Sequence, residues 1–90
     1  MTKADLITEL AISTGFDKKT ISVIVEAFMN NVKNNVAHGE PVYLRGFGGF
    51  MTKVRKAKVA RNITGKSSIF VPEHKIPYFK PSKEFCEDVR

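Results

Sequence analysis

Between Arg45 and Lys83, ten lysines and arginines stand against one acid, Glu73. Through the same stretch run β-branched Val54, Val59, Ile69, Val71 and Ile76 and aromatic Phe70, Tyr78 and Phe79. Asn62-Ile63-Thr64-Gly65 supplies turn residues midway. This combination leaves few folds open. It predicts a long β-hairpin in which Lys53, Arg55, Ala57, Val59 and Arg61 share one face and Val54, Lys56, Lys58 and Ala60 the other. Cations on both faces bar such a ribbon from a core, because a buried unpaired charge is very costly. It must project into solvent and meet a polyanion. At about nine residues per strand it reaches roughly 30 Å. The return strand is expected from Ser67 to about Phe79, and Pro72 and Pro77 belong at edge or bulge positions of a two-stranded ribbon, since proline donates no ladder hydrogen bond.

The whole 90-residue chain has a formal net charge of +6 and a pI near 9.7. Residues 1–44 carry Lys3, Lys18, Lys19 and Lys33 against Asp5, Glu9, Asp17, Glu26 and Glu40. The positive excess therefore belongs to the β half, the pattern of a nucleic-acid binder. Cys86 is the lone cysteine, so no intrachain disulfide forms, and a reducing, cytoplasmic setting is expected. No apolar run approaches the roughly 18 residues of a membrane span, and no signal peptide is read at the start. A membrane-surface role is disfavoured, because the basic part is β rather than an amphipathic helix. Asp5, Glu9, Glu26 and Glu73 form no clustered carboxylate motif. Walker, zinc and triad patterns are absent, and His38 and His74 have no second ligand at metal spacing. No enzyme activity, metal or cofactor is expected.

Ahead of the ribbon, the spacing predicts two helices. Thr2 and Asp5 make a capping-box start, Leu6, Ile7, Leu10 and Ala11 fall on one face, and Gly15 stops the helix after Thr14. Asp17 caps a second helix from about Lys18 to His38, with Ile21, Ile24, Val25, Phe28, Val32 and Val36 along it and Gly39 as terminator. The short link makes a helical hairpin. Val23, Ala27 and Met29 widen the second apolar stripe, as in a helix buried in a monomer core or one packed between its own first helix and a second chain. A shared core between two chains is expected, because about 60 residues remain once the ribbon stands free. Pro41 to Arg45 reads as a short strand, Gly46, Gly48 and Gly49 as a corner, and Phe47 and Phe50 as core. The next strand is expected to start near Phe50. Pro81-Ser82 opens a last helix, docked by Phe85 and Val89.

Assembled in this order, the chain resembles the HU/IHF family of bacterial histone-like DNA-binding proteins over essentially all 90 residues. The resemblance rests on Gly46-Phe47-Gly48-Gly49-Phe50, Arg55, Ala60-Arg61-Asn62 and Pro77-Tyr78-Phe79-Lys80-Pro81. It implies an α+β fold, with a three-stranded antiparallel sheet extended into a long β-arm. The chains form an intertwined homodimer, or a heterodimer with a paralogous chain. Within one domain, residues 1–39 dimerise, 40–80 form sheet and arm, and 81–90 the C-terminal helix. Minor-groove binding by two arms, with bending and compaction of the nucleoid, is this family's known mode and is carried over as such. On that footing Arg55 and Arg61 line the minor groove, and Lys53, Lys56, Lys58, Lys66 and Lys75 contact phosphates. Asn62 reaches base edges or simply forms the turn. Ile63, standing where the family has proline, is the wedge between base pairs. Lys58 stands where the family more often has Arg, Ser or Thr. Lys3 and Lys83, at helix starts, suit phosphate, and Arg45 and Lys80 complete the set. Binding of RNA or single strands is the alternative function, a class that usually displays aromatic platforms. On the arm, Phe70 alone is clearly available for that.

Overall fold

Short-range chemistry sets the helix ends. The computed structural model describes residues 1–61 and 68–90, Arg61 by its backbone alone. They form two compact units, Met1–Asn34 and Asn35–Arg90. In the first, α1 spans Lys3–Thr14 and α2, Lys18–Ala37, begins. The Thr2 hydroxyl accepts from the Asp5 N–H, and the Asp5 carboxylate accepts from the Thr2 N–H at 3.0 Å. This reciprocal box satisfies two donors that a helix start otherwise leaves unpaired. Asp17 accepts from the Thr20 N–H at 3.3 Å and caps the start of α2. Lys3 and Glu26 form an ion pair that ties the two helices together. Ile7 and Ile21 are buried in this unit, whereas Ile12, Phe16, Val23 and Ile24 stay more than half exposed.

In the second unit the strands are β1 (Val42–Leu44), β2 (Gly48–Arg55), β3 (Lys58–Arg61), β4 (Ser68–Val71) and β5 (His74–Pro81), followed by α3 (Lys83–Val89). A three-stranded antiparallel sheet runs β1-β2-β5, and β3 pairs with β4 in a separate two-stranded ladder. Gly48 pairs with Pro81, Arg55 with His74, Lys58 with Val71 and Arg61 with Ser68. Paired residue numbers total 129 throughout, so neither strand gains or loses a residue between the two ladders.

Three sequence expectations need adjusting. The strand after the corner starts at Gly48, before Phe50. The return strand is not continuous: it breaks at Pro72-Glu73, opposite a break at Lys56-Ala57. Pro72 has no N–H to give the ladder, and the pairing stops there. Pro77, by contrast, stays inside β5 opposite Thr52, on the edge strand where proline is tolerated. Third, Val89 is 75% exposed, so Phe85 alone docks α3.

An aromatic cluster holds this unit together, although Phe47, expected in the core, is 43% exposed. Phe79 lies 4.8 Å from Phe50 and 5.2 Å from Phe47 between ring centroids, and Phe85 stacks on Phe47 at 5.5 Å. Such pairs add to their area burial because ring edges and faces carry opposite partial charge. The corner makes the cluster possible. Gly46 takes φ +80°, a left-handed turn conformation suited to glycine, and the Phe47 N–H donates to Leu44. The Ser82 N–H then donates to the Phe47 carbonyl at 2.9 Å, and the Ser82 hydroxyl accepts from the Phe85 N–H at 3.1 Å. Corner, β5 and α3 are thereby tied at one point.

Candidate nucleic-acid interface

Register divides the sheet into two chemically distinct faces. Directly opposed residues of an antiparallel pair share a face, and the face alternates along each strand. One face carries the row Val42–Phe50–Phe79. The other carries Tyr43–Gly49–Lys80, then Met51–Tyr78, Lys53–Ile76 and Arg55–His74. The first face feeds the aromatic cluster. The second presents cations and two tyrosines to solvent, with Tyr43 72% exposed. The Lys53 ammonium sits 4.9 Å from the centroid of the Tyr78 ring, a cation–π contact. Beside them lies an open depression of about 360 Å³, bordered by Tyr43, Arg45, Met51, Lys80 and Lys83.

Arg45, Lys53, Arg55, Lys56, Lys58, Lys75, Lys80 and Lys83 are all exposed. Among the described residues, none of them forms an ion pair, so their charge is available to a ligand. The sequence groups these residues by composition, whereas the structure sorts them. Lys53, Arg55 and Lys80 occupy the face with the tyrosines, Arg45 and Lys83 border the depression, and Lys75 pairs with Val54 on the opposite parity. Lys58 belongs to the outer ladder, and Lys56 to the break between ladders. Lys3 differs from the rest. Its ammonium is held by Glu26, whose carboxyl is kept below its usual range by the Lys3 hydrogen bond and charge. A phosphate at Lys3 must compete with that carboxylate. Asn62, Ile63 and Lys66 lie outside the described residues, as does the side chain of Arg61.

Sequence reasoning gave Tyr43 and Tyr78 no role at the interface. A signal existed for Tyr43, which alternates with Val42 and Leu44 and so falls with Arg45. Tyr78 joins the cationic face only through its pairing with Met51, which is a matter of register.

A family profile described as Bacterial DNA-binding protein matches residues 1–90. DNA-binding protein HU of Thermus thermophilus is 37% identical over 90 residues, covering 100% of this chain and 93% of the relative. The chain belongs to the HU/IHF family. A second member, integration host factor subunit alpha of an Anaeromyxobacter species, is 34% identical over 83 residues, covering 92% of this chain and 84% of its own length. Among solved structures, a chain of an Anabaena HU–DNA cocrystal structure superposes with a TM-score of 0.93 at 30% identity, covering 99% of this chain and 97% of that one. HU from Thermotoga maritima gives a TM-score of 0.71 at 27% identity, with both chains fully covered. The family is one of DNA-binding architectural proteins, not of enzymes. Among the described residues, no helix is long and apolar enough to cross a membrane, and no group of three metal-ligating side chains occurs.

Proposed function

We propose that this HU/IHF family member bends and compacts duplex DNA, holding it in the minor groove with little sequence preference and performing no chemistry on it. Its place is the nucleoid. The observation that carries the reading is the sheet face on which Lys53, Arg55 and Lys80, in no ion pair among the described residues, stand beside Tyr43 and Tyr78, continuous in strand register with the outer ladder. Lys53, Lys56, Lys58, Lys66 and Lys75 neutralise phosphates along the ribbon, and Arg45, Lys80 and Lys83 do so around the depression. Lys3 joins them by exchanging Glu26 for phosphate. Arg55 and Arg61 enter the groove, where narrowing concentrates negative potential. Asn62 meets base edges that discriminate little between A·T and T·A. Ile63 wedges between base pairs, which is the family's own mode of kinking DNA.

Two chains act together. Ile7, Ile21 and Val36 are the buried apolar side chains among the described residues, while Ile12, Phe16, Val23, Ile24 and Phe28 are exposed. That much uncovered apolar surface supports a partner chain, a second copy or a paralogue. The whole of residues 1–90 then works as one domain, with 1–39 dimerising, 40–80 reaching the DNA and 81–90 bracing the corner.

The decisive experiment is salt dependence. Each phosphate neutralised on duplex DNA contributes about −0.9 to the slope of log affinity against log salt, so about six to ten of these cations holding phosphate at once across the two chains give roughly −5 to −9. A slope near zero overturns the reading. Competition with single strands and RNA separates it from the alternative, and the duplex is expected to win.

A further inference from the structure

The outer ladder carries an apolar pair that phosphate contacts leave unused. Val59 stands directly opposite Phe70, and each is 66% exposed. Opposed residues project to one face, so the two side chains form a single apolar pad. Phe70 has no aromatic partner among the described residues; the ring contacts all belong to Phe47, Phe50, Phe79 and Phe85. A β-branched residue would support strand pairing equally well. The ring therefore adds area and shape beyond what the ribbon needs.

Its surroundings say what covers it. Lys56, Lys58 and Lys75 project to the other face, but Arg55 and Lys53 of β2, both exposed, share the pad's face by strand alternation. A polyanion drawn onto those cations brings its sugars against the pad. In a B-form duplex the minor-groove walls are deoxyribose, with no 2′-hydroxyl. An RNA duplex presents a wide, shallow minor groove lined with 2′-hydroxyls. Pressing Phe70 and Val59 onto hydroxyls would strip their water without offering a hydrogen bond.

We propose that the Val59–Phe70 pair reads the sugar: it packs on deoxyribose walls and makes the arm select DNA over RNA. This rests on the DNA reading above and names how that site rejects the other duplex.

The test compares the full chain with its Phe70→Ser and Phe70→Ile variants, on a DNA duplex and an RNA duplex of one sequence, across a salt series. Losing about 55 Å² of apolar contact at about 25 cal/mol per Å² corresponds to roughly a tenfold loss of affinity. Phe70→Ser is expected to lose about that factor on DNA and little on RNA, with the salt slope unchanged because no charge is altered. Phe70→Ile, which keeps strand propensity, falls between. Equal losses on both duplexes, or no loss on either, overturn the proposal alone. Equal losses that Phe70→Ile restores would mean that Phe70 serves ribbon folding or packs on the partner chain. Failure of the unaltered chain to hold duplex DNA overturns the DNA reading and this proposal with it.

Discussion

Replacing Gly48 by alanine tests whether the corner is as tight as its geometry requires. A Cβ there would lie 2.5 Å from the Lys80 carbonyl oxygen and 2.7 Å from Cζ of Phe79. Comfortable contacts to carbon are about 3.5–4.0 Å, so β2 and β5 must part by roughly 1 Å or the ring must leave. The ring has little room to leave, lying 4.8 Å from Phe50 and 5.2 Å from Phe47 between centroids. Parting the strands weakens the ladder at the Gly48–Pro81 end. Overpacking costs about 1–3 kcal/mol and a lost ladder hydrogen bond about 1, so the total is about 2–4 kcal/mol. With a urea slope of about 2 kcal/mol per molar, the midpoint should fall by roughly 1–2 M at fixed protein concentration. Gly49→Ala is the control. Its Cβ would meet Cδ1 of Tyr43 at 2.9 Å and Cε of Met51 at 3.0 Å, both on side chains, and Tyr43 is 72% exposed and free to yield. That variant should cost less than about 1 kcal/mol. The reasoning fails if Gly48→Ala unfolds within about 0.5 kcal/mol of the unaltered protein, or if Gly49→Ala is the more damaging of the two.

Acidification should weaken the helical half. Hydrogen bonds from Thr2 hold the Asp5 carboxyl below its usual range, those from Thr20 do so for Asp17, and Lys3 does so for Glu26. Groups with lowered folded values contribute stability above the ordinary carboxylate range and lose it as pH falls through the folded values. Far-UV circular dichroism should therefore show helix loss only on the acid side of that range, blunted in Thr2→Ala, and a loss centred near neutrality would contradict the assignment. Dilution should lower the thermal midpoint, because a core shared by two chains depends on mass action; a midpoint independent of concentration would remove the partner chain from the account.

Much of the candidate site was legible in the sequence. Thr2 with Asp5, Asp17, Gly15 and Ser82 announced the helix ends, because caps act within three or four residues. Gly46-Phe47-Gly48-Gly49-Phe50 announced a corner with aromatic packing, and the lysines and arginines from Arg45 to Lys83 announced a solvent-facing cationic ribbon. Most of the missed details depend on partners distant in sequence. Glu26 occupies Lys3 from 23 residues away. Val89 stays exposed while Phe85 alone reaches the cluster. The ribbon breaks at Pro72-Glu73 into two ladders, although the alternation of its residues runs on unchanged.

The sequence by itself determined that this chain has two capped helices, a glycine corner and a ribbon too charged to bury, since propensity, capping and charge are properties of neighbouring residues. Only the tertiary structure decided which side chains stand together. Strand register brings Lys80 beside Tyr43, Lys53 onto Tyr78 and Val59 opposite Phe70. A shift of one residue on either strand would send every one of these pairs to opposite faces, because side chains alternate with a period of two.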